Sequence, residues 1–517
     1  MGLQQDTYKA LEAVVGSANI SDDPAILDSY AWRSGLAAGM YKFADRFEAI
    51  TLPKDVREVQ EIVKLCNRHR IQFKASSTGW GPMNDPSGPG VIKLDLRRMN
   101  HIIEINEQNM YAVVEPYVSG AQLQAELMKK GLHCNVTGAG GQCSALSLAA
   151  HENIGHLGQT TSCGERNQLA LEWVTPEGDI VQFGSMGSAG EWFCGDGPGP
   201  SLRGIIRGPI TPIGGLGVFT KSAMKIYHWP GPAAVPIEGI SPHYYVTEMP
   251  ERFLLRYLSF PSLRQRSEAL RKIGESEIAF EVMGFAPSMI SANIASSNSE
   301  DLEYLDRIRK EVQGPGLQII VAGNSGNDFE YKKKVLNQIM IETSAKSLAL
   351  MEDTIIGGSQ MWRCIRITGS IRETMRASGV FGGVVGGTDT LELMLNYIQS
   401  TLPYKKELIR KGLVFDDGAE AFVQPFEHGH YGHAELLIRY SLSNPETPQA
   451  MGHFMSDTTM VALNNRFGVP HQVWGNDANN LYGPHSSNFQ HWLRKIKQAF
   501  DPNEASDGRA VYISGKE

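Results

Sequence analysis

Apolar and polar positions switch period along the first half of the chain, and the switches mark out short helices and strands. Val56, Val59, Val63 and Cys66 fall on one face of a helix predicted over 53–70, with Pro53 suited to its first turn. Apolar runs at 71–75 and 91–96 predict buried strands, and 102–105 and 111–114 predict two more. Ser119-Gly-Ala-Gln122 is a capping box: the serine oxygen meets the Gln122 N–H and the glutamine reaches back. The helix it starts buries Leu123 and Leu127 and stops at Gly131, after Lys129 and Lys130. Short helices are expected at 7–15 and 146–153. Strands at 172–174 and 180–183 flank the hairpin turn Pro176-Glu-Gly-Asp, and another strand covers 216–226. These elements form one α/β unit from about Phe47 to Tyr227.

His228-Trp-Pro-Gly-Pro-Ala-Ala-Val-Pro reads as a linker into a second unit where helices and strands alternate. Helices are predicted at 262–273, ended by Gly274, at 302–312, ended by Gly314-Pro315, and near 332–348. Strands are predicted at 277–282, 317–322 and 434–441, and later helices at 451–465 and 488–500. Two helices on one antiparallel sheet is the simplest packing of this pattern.

Two loops stand out from this framework. The stretch 73–90, between two predicted strands, holds Ser76, Ser77, Thr78, Gly79, Trp80 and Gly81. Glycines let the backbone come close, and N–H groups and hydroxyls in such a loop can turn toward one anion. It is neither a Walker loop nor GxGxxG, so a plain surface turn stands beside the phosphate-loop reading. The second loop, Thr137-Gly-Ala-Gly-Gly-Gln-Cys-Ser, carries Gly138, Gly140, Gly141 and Ser144 ahead of a helix, an arrangement that favours anions. Two such loops can clasp a diphosphate from both sides.

The densest titratable cluster is Glu427-His-Gly-His-Tyr-Gly-His433. His428, His430 and His433 suit acid–base catalysis or metal binding, or form a surface loop; in a strand the first two share a face. Arg363, Arg366, Arg372, Arg376 and Arg439 are candidates for an anionic substrate group, with Arg363, Arg439 and Tyr431 preferred. The glycine run 379–389 shapes a cavity or packs as a buried strand.

The 517 residues allow two or three domains, and 42% hydrophobic with 20% charged residues is ordinary globular composition. A net charge of −8 argues against nucleic acid as a partner. No run is long and apolar enough to span a bilayer, and the N-terminus has no signal-peptide pattern, so a cytoplasmic location is expected. Six scattered cysteines without a CxxC pair fit reduced thiols, which places any iron–sulfur cluster on another chain.

Helix, strand, small-residue loop and strand in this order resemble the start of the FAD-binding domain of the vanillyl-alcohol oxidase / p-cresol methylhydroxylase (PCMH) superfamily. Two later stretches are similar to it as well: Gly164-Glu-Arg-Asn-Gln-Leu-Ala-Leu-Glu-Trp-Val-Thr-Pro-Glu-Gly-Asp and Leu216-Gly-Val-Phe-Thr-Lys. The resemblance implies an α+β fold, with a PCMH-type two-subdomain FAD-binding domain and an α+β substrate (cap) domain built on an antiparallel sheet. Its segments are 1–45, 46–230 (FAD), 231–465 (cap) and 466–517, the last returning to the FAD domain. It implies that the two glycine loops hold the FAD pyrophosphate, with Gly164, Asn167, Gly217 and Val218 as further cofactor contacts. It places active-site residues near 427–433, and His471 where the vanillyl-alcohol branch has its phenolate-binding pair. That pair, the carboxylate near flavin N5 and the covalent-flavin His or Tyr have no counterpart here, so dissociable, non-covalent FAD is expected. The implied function is an FAD-dependent oxidoreductase acting on an alcohol, hydroxy acid or phenol-type small molecule by hydride transfer to flavin N5. Alternatives are a non-redox flavin enzyme of the alkylglycerone-phosphate synthase type and a non-catalytic electron-transfer subunit. A homo-oligomer and an electron-accepting partner subunit are expected; no metal is.

Overall fold

Asp55 caps the helix that opens the first working unit, accepting the N–H groups of Arg57 and Glu58. In the computed structural model this unit belongs to a chain described over residues 3–31, 45–79, 84–138, 140–150, 155–183, 192, 202–207, 215–240, 244–312, 314–366, 380–418, 421–441, 443–468 and 475–508. Helices α1 (Gln5–Val15) and α2 (Val56–His69) share a core that includes Leu11, Val59, Ile62, Val63 and Phe73. They cover a four-stranded sheet of β1 (Ile20–Ser21), β2 (Ile50–Thr51), β3 (Gln72–Ser76) and β4 (Val91–Asp95), in the order β1-β2-β4-β3. β3 and β4 run parallel, so the chain between them must cross over, and the first glycine loop lies in that crossover.

A second, antiparallel sheet contains β5 (Ile102–Asn106), β6 (Tyr111–Val114), β7 (Gln168–Val174), β8 (Ile180–Phe183) and β9 (Val218–Lys225), ordered β8-β7-β9-β6-β5. Helices α3 (Gly120–Met128), with its capping box formed, and α4 (Ala145–Ala150) pack on this sheet through Leu123, Leu127, Leu146 and Ala149. Gly217, at the entry to β9, is indispensable: its φ is +81°, and a Cβ there would lie 2.2 Å from the Val174 carbonyl oxygen. The end of the chain returns to this half. Ser506 bridges Phe73 in parallel, the Phe73 N–H donates to Ala505, and the Asp507 N–H donates to Phe73, each bond 2.8 Å.

The second half is built on β10 (Phe253–Ser259), β11 (Glu281–Met283), β12 (Gly316–Ala322), β13 (Lys346–Ser347), β14 (Val380–Asp389), β15 (Phe422–Phe426) and β16 (Tyr431–Tyr440). They form antiparallel sheets ordered β11-β12-β10-β13 and β14-β16-β15, and a Gly284–Val423 bridge joins β11 to β15 into one surface. Alternation along β16 sorts the two faces. Ala434, Leu436, Ile438 and Tyr440 pack under α5 (Leu263–Ser276), α8 (Gly326–Glu342), α10 (Leu391–Arg410) and α11 (Thr447–Asn465). Leu437 and, on β15, Phe422 face the other way. They join a core with Met128 and Leu157 of the first half and with α6 (Pro287–Ile294), α7 (Asn298–Glu311) and α9 (Thr354–Arg366).

Some boundaries differ from the sequence expectation for identifiable reasons. Helix α5 runs through Gly274 to a left-handed Glu277 (φ 51°), which also pushes the following strand to Glu281. Gly274 serves close packing instead: a Cβ on it would meet the His428 carbonyl oxygen at 2.4 Å. Helix α8 begins earlier than expected because Ser325 caps it through the Asp328 N–H, and 346–347 form β13 rather than a helix end. From Val380 to Asp389 the glycine run is the strand β14. Phe500 ends α12 (Phe489–Phe500) against Trp173, with ring centroids 5.4 Å apart.

Candidate functional site

The two glycine loops approach one another. Ser77 Oγ lies 3.4 Å from Ser147 Oγ, so the first loop touches the first turn of α4, directly behind the second. The second loop is seated on the capped start of α3: Gly120 and Ala121 N–H donate to the carbonyls of Cys143 and Gly141, both at 2.8 Å. Ser144 is buried and its Oγ accepts the Ser147 N–H at 3.1 Å, while Gly140 takes φ +121°. Ser76 closes β3, and Ser77, Thr78 and Gly79 follow it out of the sheet. Gly138 and Gly141 belong to the second loop. Trp80, Gly81 and His471 lie outside the described residues. Gly217 donates its N–H to Ser506 Oγ at 3.0 Å, and Val218 pairs with Val174 beside it. Gly164 (φ 51°) and Asn167 form one tight turn. The Asn167 amide donates to the Ser162 and Gly164 carbonyls and its oxygen accepts from Tyr227, so its side chain shapes the turn.

The histidine cluster sits where the two halves are stitched together. The Gln424 amide donates to the Gly155 carbonyl at 2.7 Å, the Gln159 amide donates to Pro425, and the Glu427 N–H donates to Gly158 at 2.7 Å. The Glu427 carboxylate accepts the Cys163 N–H at 3.2 Å and Arg166 Nη1 at 3.0 Å, and the Arg166 guanidinium stacks 4.3 Å over the Tyr431 ring. Burial and nearby acidic groups push the Tyr431 hydroxyl well up, and burial raises the Cys163 thiol beside it to about 12. Burial also raises the Glu165 carboxyl above the usual range.

The three histidines occupy different environments. Glu427–Gly429 is a single tight turn with left-handed Glu427 and His428, so the strand alternation expected for His428 and His430 does not apply; β16 starts only at Tyr431. His428 is half-buried and His430 exposed, and neither ring has a hydrogen-bond partner among the described residues. His433 is fully buried, with Nδ1 3.0 Å from Thr388 Oγ1 and Nε2 3.1 Å from Glu435 Oε1. Glu435 went unnoticed in the sequence, although a period of two places it on the His433 face.

The preferred arginines hold helix α6 in place. Arg439 donates to the Ser288 carbonyl and pairs with buried Asp301 at 3.0 Å, while Arg363 donates to the Asn293 carbonyl at 2.7 Å. Among the described residues no group of three His, Cys, Asp or Glu side chains is placed to hold a metal.

Several buried polar atoms near the seam lack a partner among the described residues: Asn135 Oδ1, Gln159 Oε1, Gln424 Oε1 and His133 Nδ1. Each costs about 1–3 kcal/mol if nothing meets it. Unmet buried donors and acceptors together with two small-residue loops suit a polar-edged ligand that carries a diphosphate.

Residues 47–184 match the profile of the FAD binding domain family. The cofactor is FAD. The whole chain superimposes on p-cresol methylhydroxylase with substrate bound (TM-score 0.76, 18% identity), covering 100% of this chain and 99% of that one. The chain has the fold of that protein, with an FAD binding domain at residues 47–184. Over 223 residues it is 29% identical to 1'-carboxy-chondrochloren decarboxylase of Chondromyces crocatus, covering 42% of this chain and 38% of that protein. Over 205 residues it is 30% identical to the 4-cresol dehydrogenase [hydroxylating] flavoprotein subunit of Pseudomonas putida, covering 36% of each. The chain thus spans under two-fifths of the length of these two relatives in sequence. No described helix is long and apolar enough to cross a membrane.

Proposed function

We propose that the protein is an FAD-dependent oxidoreductase of small alcohols, hydroxy acids or phenol-type compounds. One observation carries the reading: Glu427 pins the histidine turn to the Cys163 N–H and Arg166 of the FAD-binding half. The turn therefore stands at the edge of the cofactor domain, not on a remote surface. The glycine loops, Ser77, Ser144 and Gly217 hold the cofactor; bound FAD supplies the acceptor for the hydride leaving the substrate carbon. His430 or His428, whose rings have no hydrogen-bond partner among the described residues, takes the hydroxyl proton, and His433, held by Thr388 and Glu435, supports the wall behind them. Tyr431, braced by Arg166, and the packed Phe426 ring exclude water from the seam.

FAD is held non-covalently, because the positions that carry the covalent His or Tyr in the resembling branch have neither. The likeness to a flavoprotein subunit supports a partner chain as electron acceptor. Replacement of His430 by Ala tests the core of the proposal. Flavin reduction slows while FAD stays bound; an unchanged reduction rate removes His430 from the mechanism. Acid precipitation releases the yellow colour into the supernatant, and colour retained on the polypeptide contradicts dissociable FAD.

A further inference from the structure

β16 is the central strand of its sheet, and alternation turns Tyr431, His433, Glu435 and Leu437 to one face. That face is the one toward the FAD-binding half. Leu437 and Phe422 join the core that holds Met128 and Leu157, and Gln424, which pairs with His433, donates to the Gly155 carbonyl. The cross-strand neighbours of Glu435 are Phe422 on β15 and Gly386 on β14. Gly386 brings no side chain, and none can be added, because a Cβ would lie 2.0 Å from the Ala434 carbonyl oxygen. On the β14 side the sheet therefore leaves space beside Glu435.

The carboxylate next to that space is oriented. His433 is fully buried, with Nδ1 3.0 Å from Thr388 Oγ1 and Nε2 3.1 Å from Glu435 Oε1. Facing a carboxylate, Nε2 carries the ring proton, which leaves Nδ1 to accept from the Thr388 hydroxyl. The Glu435 side chain is nonetheless 16% exposed in the middle of a central strand, so its opening lies on the sheet face and not at an edge. No lysine or arginine among the described residues pairs with it. The nearby guanidinium groups are engaged elsewhere: Arg439 holds Asp301, and Arg166 holds Glu427. A carboxylate so placed accepts readily from a hydroxyl or an ammonium group and repels a second carboxylate.

We infer that Glu435 sets the substrate charge: it accepts a hydrogen bond from a hydroxyl or ammonium group of the substrate and turns away compounds that carry a carboxylate there. Hydroxy acids then drop out of the proposed range, which leaves alcohols, phenols and amino alcohols. His433 and Thr388 are positioning residues that act through Glu435. The inference narrows the oxidoreductase reading and rests on it for the word substrate.

Three phenyl carbinols that differ in one substituent test it: mandelate with a carboxylate, styrene glycol with a hydroxymethyl group and phenylethanolamine with an aminomethyl group. Each is titrated anaerobically into the FAD-loaded protein at neutral pH. The readout is Kd from the perturbed flavin band, or KM where the compound reduces the flavin. The glycol and the amine bind at least about 10-fold more tightly than mandelate. Glu435→Gln keeps the shape, removes the charge and brings the three within about 3-fold of one another, while Glu435→Asp keeps their order. Thr388→Val lessens the preference and Thr388→Ser restores it. The order in the unmodified protein needs no variant: mandelate bound as tightly as the glycol overturns the inference, as does no saturable binding of glycol or amine. An order unmoved by Glu435→Gln overturns it too, and one unmoved by Thr388→Val removes the positioning role. Charge-ordered binding without flavin reduction leaves this site standing and sinks the oxidoreductase reading. Reduction by mandelate with a KM no higher than that of the glycol does the reverse.

Discussion

Replacing Gly274 by alanine sets two physical effects against each other. Gly274 lies inside α5, and a glycine-to-alanine change in a helix interior ordinarily stabilises by about 0.5–1 kcal/mol. Here the new Cβ would sit 2.4 Å from the carbonyl oxygen of His428 and 3.1 Å from its carbonyl carbon. Those are backbone atoms of a turn fastened on its other side through Glu427, so they cannot rotate away. Overpacking of this kind costs about 1–3 kcal/mol, which outweighs the helical gain and leaves a net loss of roughly 1–2 kcal/mol. Gly452 provides the control: it lies within α11, and a Cβ there meets nothing within 4 Å. Gly452→Ala should stabilise by about 0.5–1 kcal/mol. Urea titrations of the FAD-loaded variants, followed by tryptophan fluorescence and the visible flavin band, should move the two midpoints in opposite directions. A Gly274→Ala protein as stable as the parent would refute the close approach of the histidine turn to α5.

Three further outcomes follow from buried charges. Lys405 and Asp417 are each 1% exposed or less and 2.8 Å apart, so Lys405→Met leaves a buried carboxylate and costs about 3–5 kcal/mol in a urea titration, while adding Asp417→Asn recovers part of it. His133 is fully buried among the Tyr227, Trp229 and Phe280 rings, and burial lowers its pKa from 6.5 to about 4. The unfolded chain takes up that proton first, so the stability this residue contributes is complete above about pH 6.5 and falls by roughly 3 kcal/mol as pH drops toward 4. A His133→Gln variant should show a flatter urea midpoint over that interval; an identical slope contradicts the burial argument. Glu165 has the opposite sign. Its pKa is raised, mainly by desolvation, so the fold is favoured in acid and penalised once the group ionises. Glu165→Gln should therefore gain stability over the parent as pH rises to neutrality, and a gain confined to acid would be inconsistent with that cause.

The framework of the first half was legible because its signals are local. The Ser119–Gln122 capping box and the Pro176-Glu-Gly-Asp turn each specify backbone geometry within a few residues, and each appears as read, whereas the helix expected from Pro53 begins at Val56 because Asp55 caps it. The cap was less legible, since its sheet pairs strands far apart in sequence: β11 meets β15 through Gly284 and Val423. Gly274 shows the same limit, because a glycine that ends a helix and one that admits a distant carbonyl look alike in sequence. At the site, residue types pointed to Glu427–His433, but only the fold shows that Glu427 reaches Cys163 and Arg166, residues about 260 positions away. Likewise, whether an arginine is spent on an ion pair, as Arg439 is on Asp301, depends on a tertiary neighbour that no spacing announces.

The most direct test of the account is an anaerobic screen of the FAD-loaded protein against alcohols, hydroxy acids and phenols, followed by the visible flavin band. The account predicts that at least one member bleaches the flavin, and that His430→Ala slows the bleaching without loss of FAD. A purified protein that stays colourless after incubation with FAD, or a yellow one that no member of the panel reduces, would contradict it.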